Sequence, residues 1–89
     1  MEFEYDPGKD ASNRTKHGVS LAAGEALFAD PDRLILPSIR KIEGEERFKV
    51  VARWQDKLHT AVFVWRDGRI RLISVRRSND GEERAYHSG

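Results

Sequence analysis

Asp67-Gly68 falls between two β-rich runs, residues 58–66 and 69–77, and constrains the fold more tightly than any other feature of the chain. A type I′ turn needs positive φ at both central residues, and Asp-Gly meets that need at little steric cost. The two runs are therefore expected to pair as a hairpin with a two-residue loop. Such a loop sets the register, placing Arg66 opposite Arg69, Val64 opposite Arg71, Val62 opposite Ile73, Thr60 opposite Val75 and Leu58 opposite Arg77. One face then carries Trp65, Phe63, Ala61 and His59 beside Ile70, Leu72, Ser74 and Arg76, and its Trp65/Phe63/Ile70/Leu72 cluster marks it as the core face. Arg66, Arg69 and Arg71 converge on the opposite, open face. Arg76 falls on the core side near a strand end, where it should be partly buried and held by a carboxylate.

The rest of the chain supplies what such a hairpin packs against. Phe3 and Tyr5 alternate with Glu2 and Glu4 as a short strand. Asp6 and Pro7 then suit the N-cap and first position of a helix, which Lys16, His17 and Gly18 close. Ser20 is the expected cap of a second helix through Leu21, Ala22, Ala26, Leu27 and Phe28, stopped by Asp30-Pro31. Residues 34–36 read as a short edge strand cut by Pro37, and residues 41–46 as a charged connection. Residues 47–54 alternate, with Phe48, Val50, Ala52 and Trp54 on one face and Arg47, Lys49, Val51 and Arg53 on the other. Asp80 is the expected cap of a terminal helix, with Glu83 completing the box and Tyr86 one turn on. The expectation is one α+β domain over residues 1–89, a small antiparallel sheet flanked by helices in the order βααββββα.

Charge is distributed unevenly. The whole chain has a formal net charge of +1, yet residues 1–46 are acidic and residues 47–89 basic, most of the latter cations being arginine. Arginine presents a planar fork that matches phosphate geometry, so the second half points to an anionic ligand, nucleic acid first. With 0 cysteines the chain has neither disulfides nor thiolate chemistry. No apolar run approaches a membrane span and the acidic start does not read as a signal peptide, so a cytoplasmic protein with no membrane partner is expected.

His17, His59 and His87 lack metal-ligand spacing, and no phosphate-cradling glycine motif or serine-nucleophile signature occurs, so no metal and no cofactor are expected. What remains, Arg, Lys, His, Glu and Tyr, suffices for transesterification of RNA. That reaction needs a base for the 2′-OH, a cation for the phosphate and an acid for the leaving oxygen. His17, beside Lys16 and Asn13, is the obvious titrating group, although a helix-terminal cation is the simpler reading. Glu45 and Glu46 could serve as a base or pair with arginines. No helix carries the basic spacing of a DNA-recognition helix.

Three blocks of sequence occur together in order. The first is Phe3-Glu4-Tyr5-Asp6-Pro7-Gly8-Lys9 with Asn13, Lys16-His17-Gly18-Val19-Ser20 and Phe28-Ala29-Asp30-Pro31. The second is Gly44-Glu45-Glu46-Arg47-Phe48, and the third runs through Arg69-Ile70-Arg71-Leu72-Ile73-Ser74-Val75-Arg76-Arg77 to Glu83 and Tyr86. Together they resemble the signature of the BrnT-type toxins of bacterial type II toxin–antitoxin systems. The resemblance implies a metal-independent endoribonuclease with a RelE-like fold that arrests growth. It also implies a ribbon–helix–helix antitoxin of the BrnA type as partner, through which operator DNA is bound indirectly. By matching position it assigns catalysis to Lys16, His17, Glu45, Arg47, Arg76 and Tyr86, with Arg66, Arg69 and Arg71 holding RNA phosphates. Tyr5 stands where the family usually has Trp, Ala52 replaces a common glycine, and Val64-Trp65 replaces a polar pair before Arg66. These departures leave a second reading, a catalytically degenerate RNA- or protein-binding module of the same fold.

Overall fold

The computed structural model describes residues 2–42 and 45–89. Its elements are β1 (Phe3–Glu4), α1 (Pro7–His17), α2 (Ala23–Leu27), β2 (Leu34–Ile42), β3 (Glu45–Trp54), β4 (Lys57–Arg66), β5 (Arg69–Arg77) and α3 (Asp80–Ser88). They build an α+β unit around one sheet in the order β1-β5-β4-β3-β2. Strands β2 to β5 are antiparallel neighbours, but β1 joins β5 in parallel through Phe3↔Ile70 and Glu4↔Arg71, so the sheet is mixed rather than antiparallel throughout. The short β1 is held from both faces. Phe3 packs on Phe28 with ring centroids 5.3 Å apart, and Glu4 accepts a 2.7 Å bond from Arg71.

Local chemistry accounts for the element ends. The Asp6 side chain caps α1 by accepting from the backbone N–H of Lys9, and Gly18 closes the helix at φ 72°. Ser20 does not cap α2. Its hydroxyl donates to Asp10 and accepts from the N–H of Ala22, so residues 21–22 form a turn and the helix starts at Ala23. At the other end, Asn79 rather than Asp80 caps α3, and Glu82 rather than Glu83 completes the capping box. Strand β2 continues through Pro37 to Ile42, where the sequence suggested a stop. It is an edge strand, where proline is tolerated, and the register with β3 shifts between Pro37 and Lys41.

Asp67 and Gly68 take φ 53° and 77°, giving the two-residue turn expected of them. The register then follows expectation as far as Phe63↔Leu72. One step further Val62 pairs with Ser74, and Ile73 is an extra residue bulged out of β5. Beyond the bulge every β5 side chain changes face. Val75 turns into the core opposite Ala61, and Arg76 leaves the core side to stand opposite Thr60 on the other face. The core lies under α1 and α2, where Leu21 and Leu27 meet Val50, Ala52, Ala61, Phe63, Ile70, Leu72 and Val75. Gly24 lets α2 approach the sheet closely, since a Cβ there would sit 2.7 Å from Leu72 Cδ2. Trp65 is not part of this core; it is 51% exposed and meets Phe63 only edge-on.

Past β1 the outer edge of β5 would be bare. Asn13 covers it as a strand would: its Nδ2 donates to the Val75 carbonyl at 2.8 Å and its Oδ1 accepts from the Val75 N–H at 3.1 Å. The same amide donates to the Val19 carbonyl, tying the loop after α1 to the sheet. Asn13→Ala leaves buried backbone groups unpaired and should lower unfolding free energy by about 2–3 kcal/mol in urea titrations, against under ~0.5 kcal/mol for Ser12→Ala on the exposed side of α1. The β3–β4 turn is built differently from the β4–β5 turn. Gln55 and Asp56 take φ 51° and 64° with no glycine between Trp54 and Lys57. Gln55→Gly should relieve this and raise stability by about 0.5–1 kcal/mol in the same titration.

Candidate functional site

The sheet presents two chemically different faces. On the α3 side, β3 sets Arg47, Lys49, Val51 and Arg53 in alternation, β4 adds Thr60, Val64 and Arg66, and β5 adds Arg69, Arg71 and, past the bulge, Arg76. Five of these seven cations are paired with carboxylates, whereas Arg47 and Arg53 have no ion-pair partner among the described residues. Arg66 Nη2 reaches both Glu45 oxygens at 2.9 and 3.0 Å, Arg69 pairs with Glu2 and Arg71 with Glu4.

Glu82 is the centre of this face. It is 4% exposed, and its carboxylate accepts from Arg76 Nη1 and Nη2 at 2.7 and 2.8 Å, from Thr60 Oγ1, from Lys49 Nζ and from the Asn79 backbone N–H. Burial alone would raise its pKa. The bonds from Arg76, Asn79, Lys49 and Thr60 outweigh that and hold the carboxyl far below the usual carboxylate range. The same bond to Glu82 raises the pKa of Arg76. The sequence predicted a carboxylate partner and partial burial for Arg76, and Glu82 supplies both, but from the face opposite the core. Tyr86 donates to Asp30 Oδ2 at 2.9 Å and lies under the Arg53 guanidinium, 5.9 Å from ring centroid to Cζ. Burial and the Asp30 carboxylate raise the Tyr86 pKa, so its proton is firmly held.

Of the residues assigned from sequence, Glu45, Arg47, Arg66, Arg69, Arg71, Arg76 and Tyr86 share this α3 side. Lys16 and His17 do not join them. They sit in the last turn of α1, on the opposite side of the sheet. His17 instead lines a cleft of about 330 Å³ with Gly18, Val19, Trp54, Gln55, Lys57, His59 and Arg77. Four elements meet there: the C-terminus of α1, the end of β3, the start of β4 and the end of β5. His59 and Arg77 are direct cross-strand partners because the bulge at Ile73 brings Arg77, not Arg76, to this face.

The lining holds four groups able to carry positive charge and no carboxylate. Among the described residues, neither Lys57 nor Arg77 has an ion-pair partner. His59 is 7% exposed, edge-on to Trp54 at 5.2 Å, with Nδ1 3.0 Å from the Lys57 carbonyl. A carbonyl only accepts, so Nδ1 carries the hydrogen and Nε2 of the neutral ring carries the lone pair. Among the described residues no buried side-chain nitrogen or oxygen lacks a partner. No partner for Nε2 is found among the described residues, so that atom is not fully sealed from solvent. A larger hollow of about 470 Å³ runs along the exposed side of α3, but it is lined by that helix alone and has no second wall.

Sequence reasoning missed this cleft. Trp54, Lys57 and His59 come together at the β3–β4 turn whatever the register of β5, but in the unbulged register Arg77 faces Leu58 on the other side of the sheet, and only the polar Gln55-Asp56 pair hinted that residues 54 and 57 approach each other at a turn.

The domain thus carries cations on both faces of its sheet, most of those on the α3 side paired with carboxylates and those of the cleft set around two imidazoles. The profile of the family described as "Ribonuclease toxin, BrnT, of type II toxin-antitoxin system" matches residues 5–82, and the chain belongs to that family. Membership makes it a ribonuclease toxin by class and implies an antitoxin partner. No curated protein matches the chain. No helix among the described residues is long and apolar enough to cross a membrane.

The Glu82 network gives a signed expectation. Its folded-state pKa lies below the unfolded value, so its contribution is complete above about pH 5 and is lost as pH falls. Glu82→Ala strands Arg76 and Lys49 and should cost about 3–5 kcal/mol at pH 7. Urea titrations between pH 7 and pH 3 should show a steep acid decline in wild type and a shallower one in the variant.

Proposed function

We propose that this chain is an endoribonuclease toxin that cuts RNA without a metal, arrests growth and is neutralised by a ribbon–helix–helix antitoxin of the BrnA type. The observation that carries the reading is the family match over residues 5–82, joined to cation-rich surfaces on both faces of the sheet. Metal-independent chemistry is favoured by the donor inventory. The sequence has 0 cysteines, and among the described residues no group of three His, Asp or Glu is placed to hold an ion. The sheet and its flanking helices are read as RelE-like, the site of action as the cytoplasm, and operator DNA as a ligand reached only through the antitoxin.

In this reading Arg66, Arg69 and Arg71 take RNA phosphates by exchanging their present carboxylate partners. The Arg66–Glu45 and Arg69–Glu2 pairs are solvent-exposed, and such pairs are worth at most about 1 kcal/mol, so a polyanion displaces them readily. An acidic or aromatic antitoxin segment lying over the same arginines would block RNA and neutralise the face together. Glu45, Arg47, Arg76 and Tyr86 flank this surface, and Lys16 and His17 serve the other side.

Purified chain should fragment RNA equally with and without EDTA. Arg71→Glu should weaken RNA binding and reduce the slope of log affinity against log salt by about one to two phosphate contacts. Cutting abolished by EDTA contradicts metal independence. Tight RNA binding without cutting, in folded wild-type protein, would favour the degenerate binding module instead.

A further inference from the structure

We propose that the cleft between α1 and the β3–β4 turn is the reaction centre, with His59 as general base and His17 as general acid; this rests on the ribonuclease reading above. Four observations converge on it. The cleft joins two imidazoles from different elements, His17 and His59. His59 has its Nδ1 fixed on the Lys57 carbonyl and its plane set edge-on by Trp54, which leaves Nε2 as a prepositioned proton acceptor. Lys57 and Arg77 stand beside it without carboxylate partners among the described residues; on the other face Arg47 and Arg53 are likewise unpaired, but no pair of imidazoles accompanies them, and Arg66, Arg69, Arg71 and Arg76 are each already paired. The wall is carried by a turn held at φ 51° and 64° without glycine, and strain of this kind gathers at working sites.

The step these groups can perform balances without a further reactant. His59 Nε2 takes the proton of a ribose 2′-OH, and the 2′-oxygen attacks the adjacent phosphorus. The bond from phosphorus to the 5′-oxygen breaks, and protonated His17 gives its proton to that leaving oxygen. Lys57 and Arg77 hold the charge that builds on the non-bridging oxygens. The products are a 2′,3′-cyclic phosphate and a 5′-hydroxyl, and the two imidazoles have exchanged protonation states. DNA, which lacks the 2′-OH, binds the same cleft but is not cut.

The charged groups facing His59 are Lys57 on its own strand, Arg77 on β5 and His17 at the end of α1, while β3 contributes only the neutral Trp54 and Gln55. The test compares wild type, His59→Gln and His17→Gln on a defined RNA, reading kcat, its pH profile and the product ends. Each substitution should lower kcat by about 10²–10⁴-fold. The wild-type profile should be bell-shaped, each variant should lose one limb, and the products should end in a cyclic phosphate. His59 is buried, so its variant is compared by thermal melting; His17 is exposed, and its variant tests the pair independently of folding. Folded variants that cut at the wild-type rate overturn the proposal and leave the ribonuclease reading standing. Wild-type protein that cuts no RNA overturns both.

Discussion

Ile73 has no partner on β4, and much of the functional surface follows from that single extra residue. A strand alternates its side chains strictly, so one inserted residue sends everything after it to the opposite face. Val75 thereby closes the core, Arg76 meets Glu82 under α3, and Arg77 meets His59 in the cleft. Without the bulge an arginine would point at the core and a valine at α3. The Asn13 amide grips the Val75 backbone two residues beyond the bulge, where β1 no longer covers the edge. It thus fixes the segment in the shifted register and connects α1, which carries His17, to the strand that carries Arg77.

The two faces divide the labour of a basic protein. On the α3 side cations serve the fold: the five donors on Glu82 clamp a short terminal helix onto the sheet, and they leave the pair of Arg76 with that carboxylate largely shielded from water. Removing such a partner costs far more than removing an exposed one, because the remaining charge stays buried. On the other side cations surround an open cleft with no carboxylate partner among the described residues. The difference is local, since the formal charge of the whole chain is only +1.

Much of this fold was legible from residue patterns. Asp6-Pro7, Gly18 and Asp67-Gly68 each dictate backbone geometry directly, and α1 and the β4–β5 turn formed where they stand. Carboxylate caring for Arg76 was legible too, from its position near a strand end. What sequence could not supply was register beyond the turn, because a bulge at an apolar residue such as Ile73 leaves no compositional mark. The Pro37 signal misled for a related reason: proline ends a central strand but is tolerated in an edge strand, and edge position is a property of topology. The choice between Glu82 and Glu83 likewise turned on one residue of helix phase, set by Asn79 capping in place of Asp80. The cleft was the least legible, since its residues come from four elements and Arg77 reaches it only after the register of β5 has shifted.

On this proposal RNA reacts in the cleft of His17 and His59 rather than on the arginine face. Lys57 to Arg66 spans roughly 30 Å along β4 at about 3.3 Å per residue, so the two positions are easily told apart. The most direct measurement is a structure of the chain bound to a short RNA carrying 2′-O-methyl groups, which cannot be cut. A phosphate is expected between Lys57 and Arg77, with the methylated 2′-oxygen facing His59 Nε2. A phosphate seated instead on Arg66 and Arg71, with the cleft empty, would contradict it.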